Sequence, residues 1–185
     1  MALIENYENT PKIRRLSHYQ RRPIGLDVSP VTREEIPKLH EFVKGALGPG
    51  IASAETVSAV HGRQSFGLWK VLDAQKAWSG AYAFLYLNQA GLDAVYDGTF
   101  NSREPELSHL ADTPSEVVAI FAWCLVLRGK SKAALLKAAT WLDLCGWNNC
   151  PIFTNPVTPR GTQLAQKLGF RPLDPTGATN VHVVN

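Results

Sequence analysis

The chain has 185 residues, of which 45% are hydrophobic and 19% charged, and its formal net charge at pH 7 is +3. This composition is that of a globular domain with enough chain for a core, and it excludes a wholly disordered or collagen-like protein. No apolar run is long enough to span a membrane as a helix, and the three cysteines contain no Cys-x-x-Cys pair. We therefore expect a cytoplasmic protein with reduced thiols and without a membrane partner. The mild positive charge suits a phosphate-bearing ligand and does not require nucleic acid.

The first 22 residues are polar and carry a basic cluster of Lys12, Arg14, Arg15, Arg21 and Arg22. Such a cluster is found in arms that bind nucleic acid or a partner protein, and equally in solvated leader segments. The leader interpretation is favoured. We predict a basic N-terminal arm over residues 1–22 and a single domain over residues 23–185.

The domain is predicted to begin with a strand at residues 23–31, where apolar residues alternate. Thr32 and Glu35 then form a capping box, which predicts a helix that ends in the glycine-rich segment 45–50. Its inner face is predicted to carry Ile36, Leu39, Phe42 and Val43. Ser53 is expected to cap a second helix that ends near Val60.

Two further strands are predicted at residues 65–73 and 77–88, joined by a short polar connection. Residues 91–100 are compatible with a short helix or a turn. The polar segment 101–115 contains two prolines and is predicted to be a surface loop at one end of the sheet. It could shape a substrate entrance or serve only as a connection.

The next segment is an uninterrupted apolar run, residues 117–127, which predicts a strand buried on both faces. A short cationic turn, residues 128–133, follows directly. Helical spacing then predicts an inner face of Leu135, Ala138, Ala139, Leu142 and Cys145. Gly146 stands where a helix usually stops.

This order of strand, cationic turn and helix can bind phosphate. The first amides of a helix lack intrahelical partners, and the helix dipole adds partial positive charge at the same end. Arg128, Lys130 and Lys132 add full charges, and Gly129 lets an anion approach the backbone. An ordinary connection with solvated lysines explains the segment equally well.

Gly129-Lys130-Ser131 also matches the end of a Walker A phosphate loop, G-x-x-x-x-G-K-[ST]. That motif requires a glycine at the position of Cys124, in the middle of the predicted strand, so the match fails. A phosphate-loop nucleotide enzyme is accordingly a distant alternative.

The C-terminal part is predicted to contain a strand at residues 151–155 and a helix capped by Thr158, with Pro159 in its first turn. Gly169 is expected to end this helix. A final strand is predicted within residues 171–185.

Two motifs and the order of elements resemble the GNAT superfamily of acyl-CoA-dependent N-acyltransferases. Arg128 and Ala133 match the first and last positions of the Q/R-x-x-G-x-G/A turn of that family, while Ser131 replaces its central glycine. Lys167-Leu168-Gly169-Phe170 is similar to the end of the last GNAT helix. The resemblance extends from Pro23 to the C-terminus, and it is that of a divergent member.

The resemblance implies an α/β fold with a mixed, largely antiparallel central sheet flanked by helices, in which strands four and five splay apart. Acetyl-CoA or another acyl-CoA would enter the gap as co-substrate. The implied cofactor-binding residues are Leu125, Val126, Leu127, Arg128, Gly129, Lys130, Ser131, Lys132, Ala133 and Asn155. The turn would hold the diphosphate, Asn155 would face the pantetheine arm, and an amide near Leu125 would stabilise charge on the thioester oxygen.

The implied activity is N-acetyltransfer to a primary amine by direct transfer in a ternary complex, with a small-molecule or protein acceptor. Many relatives carry a tyrosine where this chain has Ala165, and a glutamate within strand four, where this chain has none. The candidates for acid–base roles are therefore Glu116, at the entrance of the strand, Tyr82 and His109. The five histidines show no metal-ligand spacing, so no metal is expected.

The two departures from the family pattern favour an alternative, a non-catalytic GNAT-like module that binds acyl-CoA or a protein partner. The sequence identifies neither the acceptor nor the acyl chain, and it leaves a homodimer open. Fold resemblance alone does not establish activity, which has to be argued from the site.

Overall fold

We describe the protein from a computed structural model, whose described residues are 26–129, 134–147, 149–174, 176 and 179–184. The arm predicted at residues 1–22 and the turn residues Lys130 to Ala133 lie outside this described part. No helix within it is long and apolar enough to cross a membrane.

Within the described residues, seven strands form one sheet in the order β1-β2-β3-β4-β5-β7-β6. The strands are β1 Asp27–Pro30, β2 Leu68–Leu72, β3 Trp78–Leu87, β4 Ala119–Leu127, β5 Ile152–Thr154, β6 Arg171–Pro172 and β7 His182–Val184. The β4–β5 pair is parallel and the other neighbouring pairs are antiparallel. The mixed, largely antiparallel sheet is confirmed. The single predicted last strand is two short strands.

The helices are α1 Ile36–Leu47, α2 Ala54–Arg63, α3 Gln89–Tyr96, α4 Ala134–Leu144 and α5 Pro159–Lys167. Two of them, α2 and α5, begin at the residues that the sequence predicted, and a 3-10 turn Arg33–Glu35, capped by Thr32, leads into α1. The Glu35 carboxylate accepts from the Thr32 amide at 3.0 Å, just before α1. Ser53 and Thr158 each accept an amide hydrogen bond of 3.0 Å from the first turn of α2 and α5. These caps satisfy amides that the helix itself leaves unpaired.

The two faces of the sheet pack against different helices because side chains alternate along each strand. Ala81, Ala83, Leu85 and Leu87 of β3 lie on the face covered by α1, α2 and α3, which we call the α1–α3 face. Tyr82, Phe84 and Tyr86 lie on the other side, which we call the α4 face. Every residue of β3 from Gly80 to Leu87 is buried, so this part of the strand is covered on both faces.

The α4 packing follows the predicted pattern in part. Ala138 and Leu142 are buried, whereas Ala139 is exposed, so its predicted place on the inner face is wrong. Gly146, with φ of +77°, follows the helix as predicted. In β4, Ala119 to Phe121 are buried, but Ala122 to Leu125 are only half-buried. Burial on both faces therefore holds for the first half of β4 and fails for the second.

Gln64 is the buried polar side chain of the described core, with no exposed surface. Its amide nitrogen donates to the carbonyls of Tyr86 at 2.7 Å and Ala111 at 2.9 Å. Its amide oxygen accepts from the Tyr86 backbone N–H at 3.0 Å. Gln64 thereby forms hydrogen bonds with the edge of β3 beyond the end of β2. Its bond to the Ala111 carbonyl holds the segment that leads into β4.

Candidate functional site

The parallel strands β4 and β5 pair over only a short length. Their cross-strand partners end with Ala122 and Thr154, and the Thr154 hydroxyl donates to the Ala122 carbonyl at 3.2 Å. β5 stops there, while β4 continues to Leu127 with β3 as its sheet partner. The space beside the continuing part of β4 is called the β4–β5 opening below.

A β-bulge lies in β4 where the opening begins. Ala83 is opposite Cys124 and Phe84 is opposite Ala122, so Trp123 is an extra residue in β4. Trp123 and Cys124 consequently both pack against the α1–α3 face. Such bulges bend a strand and re-aim side chains, and they are enriched beside active sites.

The bulge also fixes the loop that covers this face. The indole N–H of Trp123 donates to the Ser102 carbonyl at 2.6 Å. The ring of Phe100, two residues earlier, lies 5.1 Å from the ring of Phe121 in β4. The segment predicted as a surface loop is thus attached to the sheet at the edge of the opening.

The second half of β4 presents backbone groups to the opening. The Arg128 amide donates to the Ser79 carbonyl at 3.0 Å, which sets the alternation of the β3–β4 ladder at this end. By this alternation, Leu125 and Leu127 direct their N–H and C=O groups away from β3. No turn or loop hydrogen bond of the described residues reaches them. Unpaired backbone groups of this kind are costly unless water or a ligand pairs with them.

The turn after β4 has the geometry of an anion-accessible backbone. Gly129 has φ of +52°, and a Cβ atom added there would meet no atom within 4 Å. The Arg128 guanidinium lies over the Phe42 ring, 4.8 Å from its centroid. The described part of α4 begins at Ala134. Lys130, Ser131, Lys132 and Ala133 lie outside the described residues.

A depression of about 240 Å³ lies where β5 ends. Its walls are Val95, Gly98, Phe100, Asn155, Thr179, Asn180 and Val181. Val95 and Val181 belong to the α1–α3 side of the core, so the depression opens on that face. The Thr179 hydroxyl oxygen is buried there without a hydrogen-bond partner among the described residues.

Tyr82 is the catalytic candidate nearest to Leu125, and it lies on β3, on the side of β4 away from β5. It is the direct cross-strand neighbour of Leu125, on the α4 face. Its ring stacks on Trp69 at 5.8 Å and is only 2% exposed. Burial raises the pKa of Tyr82 well above its ordinary value, so the phenol keeps its proton at neutral pH.

Glu116 lies at the other end of β4 and is part of a structural network. Its carboxylate accepts from the Asp112 amide at 2.9 Å, and Asp112 pairs with Arg63. The Asp112 amide hydrogen bond lowers the pKa of Glu116 below its ordinary value, which makes it a weaker base. β4 starts three residues later, and the six residue steps from Ala119 to Leu125 span about 20 Å. This placement does not support Glu116 as the base for a reaction at Leu125.

His109 also lies near the start of β4. The adjacent Leu110 forms a bridge with Leu87, the last residue of β3. The His109 ring packs 6.2 Å from Phe100 and lies 3.8 Å from the Glu106 carboxylate. Tyr82 is therefore the candidate next to Leu125, Glu116 lies at the start of β4, and His109 packs beside Phe100, a wall of the depression.

The cysteines and acidic residues offer no other reactive centre within the described residues. The three thiols are free, and burial raises the pKa of Cys124, beside the bulge, to about 12. A thiol with this pKa is protonated at neutral pH and is a poor nucleophile. No group of three or more His, Cys, Asp or Glu side chains in the described part of the chain is placed to hold a metal ion.

Several residues of the site carry no signal in the sequence. Val95, Phe100, Thr179 and Asn180 come from segments far apart in the chain and meet only in the fold. Asn155 was identified through the family resemblance, and it lines the same depression. The position of the bulge at Trp123 depends on the register with β3, which the residue pattern of β4 alone does not contain.

The architecture matches solved acetyltransferases. No protein-family model and no curated protein sequence matches the chain. An acetyltransferase of the GNAT family from Staphylococcus aureus Mu50 superposes with a TM-score of 0.55 at 10% identity, over 86% of this chain and 98% of that chain. The chain has the GNAT fold.

A second GNAT-fold neighbour is a Corynebacterium glutamicum protein described as histone acetyltransferase HPA2 and related acetyltransferase. It superposes with a TM-score of 0.50 at 14% identity, over 86% of this chain and 94% of that chain. At identities this low, the superpositions establish the GNAT fold alone. The activity has to be argued from the site.

Proposed function

We propose that the protein is an acyl-CoA-dependent N-acyltransferase that transfers an acetyl group directly to a primary amine in a ternary complex. The observation that carries this proposal is the backbone of Leu125 and Leu127, which points away from β3 and is paired by no turn or loop hydrogen bond of the described residues, beside Gly129. The fold supports the same reaction class, since its solved neighbours are named as acetyltransferases. The free cysteines are compatible with a reducing compartment such as the cytoplasm.

The described residues fit a CoA thioester. The pantetheine arm is rich in amides, which can pair with the N–H and C=O groups that β4 directs into the opening. The turn at Gly129 and the start of α4 suit a diphosphate, and Arg128, Lys130 and Lys132 supply positive charge. The Asn155 side chain, at the end of β5, is placed to bind the arm from the other strand.

The reaction requires a neutral amine. Its nitrogen attacks the thioester carbonyl carbon, the C–N bond forms, the C–S bond breaks, and one proton leaves the nitrogen. The Leu125 amide stabilises the charge that develops on the carbonyl oxygen. Because no described carboxylate lies within β4, water takes the amine proton. Tyr82, protonated at neutral pH, transfers its proton to the departing thiolate, and the proton that water took from the amine restores the phenol.

Ala165 supports the second candidate function, a binding module without catalysis. It is buried within α5, at the position where many proteins of this fold carry a tyrosine. Such a module would bind acyl-CoA in the same opening, or a protein partner, and release no thiol. The nucleotide-enzyme alternative is disfavoured because Cys124 lies within β4, where a Walker A loop needs a glycine.

Calorimetry with acetyl-CoA and with ATP–Mg²⁺ separates these functions. We expect acetyl-CoA to bind and ATP–Mg²⁺ not to bind, and we expect amines to cause release of free thiol. Lys130→Glu combined with Lys132→Glu should weaken acetyl-CoA binding by about tenfold or more through lost charge-assisted contacts. Lys44→Glu combined with Lys167→Glu is the control for the same change in net charge.

Unchanged affinity in the Lys130→Glu, Lys132→Glu protein would contradict the assignment of the diphosphate to the turn. Binding of acetyl-CoA without thiol release from any amine would favour the non-catalytic module.

A further inference from the structure

We infer that the acceptor is a small monoamine with an uncharged, largely apolar body, such as an arylalkylamine or a branched alkylamine, and that it binds in the depression beside Asn155. This inference rests on the proposed function and adds the class of the acceptor. It is carried by the position of the depression, by the charge of its walls and by its size.

The depression lies next to the place where the thioester carbonyl is proposed to bind. Asn155 directly follows Thr154, the last residue of β5 that pairs with β4. Thr154 is opposite Ala122, and three residue steps along β4, about 10 Å, lead from Ala122 to Leu125. Phe100 forms both a wall of the depression and a contact with Phe121 of β4. An amine bound here is therefore within one small-molecule length of the opening.

The described residues that form the walls of the depression carry no formal charge. Val95, Phe100 and Val181 give them an apolar side, and Asn155, Thr179 and Asn180 give them neutral hydrogen-bonding groups. A monoamine becomes neutral when it loses the proton that the reaction requires. A polyamine keeps at least one further ammonium group, which would lose water without gaining a counter-charge from the described walls.

The volume favours a compact acceptor. About 240 Å³ corresponds to roughly eight times the share of liquid volume that one water molecule occupies. Phenethylamine or isoamylamine has a comparable number of heavy atoms and a compact apolar body. The unpartnered Thr179 hydroxyl and the Asn180 amide can pair with a ring hydroxyl, so tyramine should bind as well as or better than phenethylamine.

The test measures the release of free thiol by the whole chain with acetyl-CoA and compares this rate between different amine acceptors. We expect kcat/KM for phenethylamine and tyramine to exceed that for spermidine by tenfold or more. Asn180→Asp places a carboxylate in the wall and should shift the ratio toward spermidine by about tenfold. Asn149→Asp, an exposed residue outside the depression, is the control and should leave the ratio unchanged.

A wild-type preference for spermidine would overturn the inference, as would an Asn180→Asp ratio equal to that of the control. If no amine releases thiol, calorimetry on the CoA-loaded protein decides. Tighter binding of phenethylamine than spermidine, lost on filling the depression with Val181→Trp, supports the inference, and any other order overturns it. Failure of acetyl-CoA itself to bind would instead refute the proposed function.

Discussion

Gln64 shows how one side chain can replace a missing strand. β2 ends before it reaches the last residues of β3, so the Tyr86 N–H has no strand partner on that side, while the Tyr86 carbonyl accepts from the Ala111 amide at 2.9 Å. The Gln64 amide pairs with both Tyr86 groups and with the Ala111 carbonyl, at distances of 2.7 to 3.0 Å. Because Ala111 belongs to the segment that leads into β4, this residue also positions the strand that forms the candidate site.

Gln64→Leu should lower the free energy of unfolding by about 2 kcal/mol or more, because the buried Tyr86 N–H and Ala111 carbonyl lose their partner, while the Tyr86 carbonyl keeps the Ala111 amide. Urea denaturation followed by tryptophan fluorescence measures the change. Gln166→Leu, at an exposed position in α5, should change stability by no more than about 0.5 kcal/mol. Similar losses in both variants would show that Gln64 contributes no more than a surface glutamine.

Tyr82 and Tyr86 lie on the same face of β3 and provide a matched pair. Tyr82 is opposite Leu125, whereas the Tyr86 hydroxyl accepts from the Trp141 indole N–H at 3.3 Å. Tyr82→Phe should lower kcat by about a hundredfold, the usual scale for loss of a general acid, and leave acetyl-CoA affinity unchanged. Tyr86→Phe should change kcat little. Equal rates in the two variants would remove Tyr82 from the mechanism.

The raised pKa of Tyr82 determines the direction in which kcat/KM should change with pH. Burial disfavours the phenolate, so the proton is retained above the ordinary tyrosine value of 10.0. The amine acceptor must lose a proton, and its pKa is near that of lysine, about 10.4. We expect kcat/KM to rise with pH up to the pKa of the amine, without a fall near pH 10. A fall centred near pH 10 would indicate an acid with an unperturbed tyrosine pKa.

At the scale of elements, the turn after β4 depends on a residue that tolerates a left-handed backbone. Gly129 and Gly146 have φ of +52° and +77°, and neither has an atom within 4 Å of an added Cβ. Alanine at either position should cost about 1 kcal/mol in stability because of the left-handed conformation. Only Gly129→Ala should also weaken acetyl-CoA binding, by about tenfold, since its methyl group would occupy the space for the diphosphate.

Calorimetry on the two glycine variants provides this comparison. Equal affinities in Gly129→Ala and Gly146→Ala would show that the turn does not contact the ligand.

The element boundaries were predictable where side chains act locally. Ser53 and Thr158 cap the helices that they were predicted to begin, and Thr32 caps the turn that leads into α1, because a cap depends on residues within one turn. The buried half of β4 was predictable from its apolar run. The half-buried part, Ala122 to Leu125, was not, because its exposure results from the early end of β5.

Ala139 illustrates the same limit within a helix. Helical spacing placed it on the inner face of α4, but α4 packs on the sheet through Ala138, Trp141 and Leu142 and leaves Ala139 exposed. Trp141 contacts the aromatic side chains of Tyr86 in β3 and Trp69 in β2. No pattern within α4 itself contains this information.

At the scale of the whole molecule, the candidate site combines local and long-range features. The strand, turn and helix around Gly129 are contiguous and were recognised from the sequence. The bulge at Trp123 depends on register with β3, and the depression joins residues from α3 to the approach to β7. The catalytic candidate Glu116 was chosen by proximity in sequence to β4, and an extended strand places it far from Leu125, whereas His109 packs beside Phe100 at the depression.

The central claim is that a CoA thioester occupies the β4–β5 opening and pairs with the β4 backbone. Amide hydrogen exchange followed by NMR, with and without acetyl-CoA, tests it at single residues. We expect the Leu125 and Leu127 amides to exchange readily in the free protein and to become protected when acetyl-CoA is bound. The Val126 amide, which faces β3, should be protected in both states. Binding of acetyl-CoA without added protection at Leu125 and Leu127 would contradict the account.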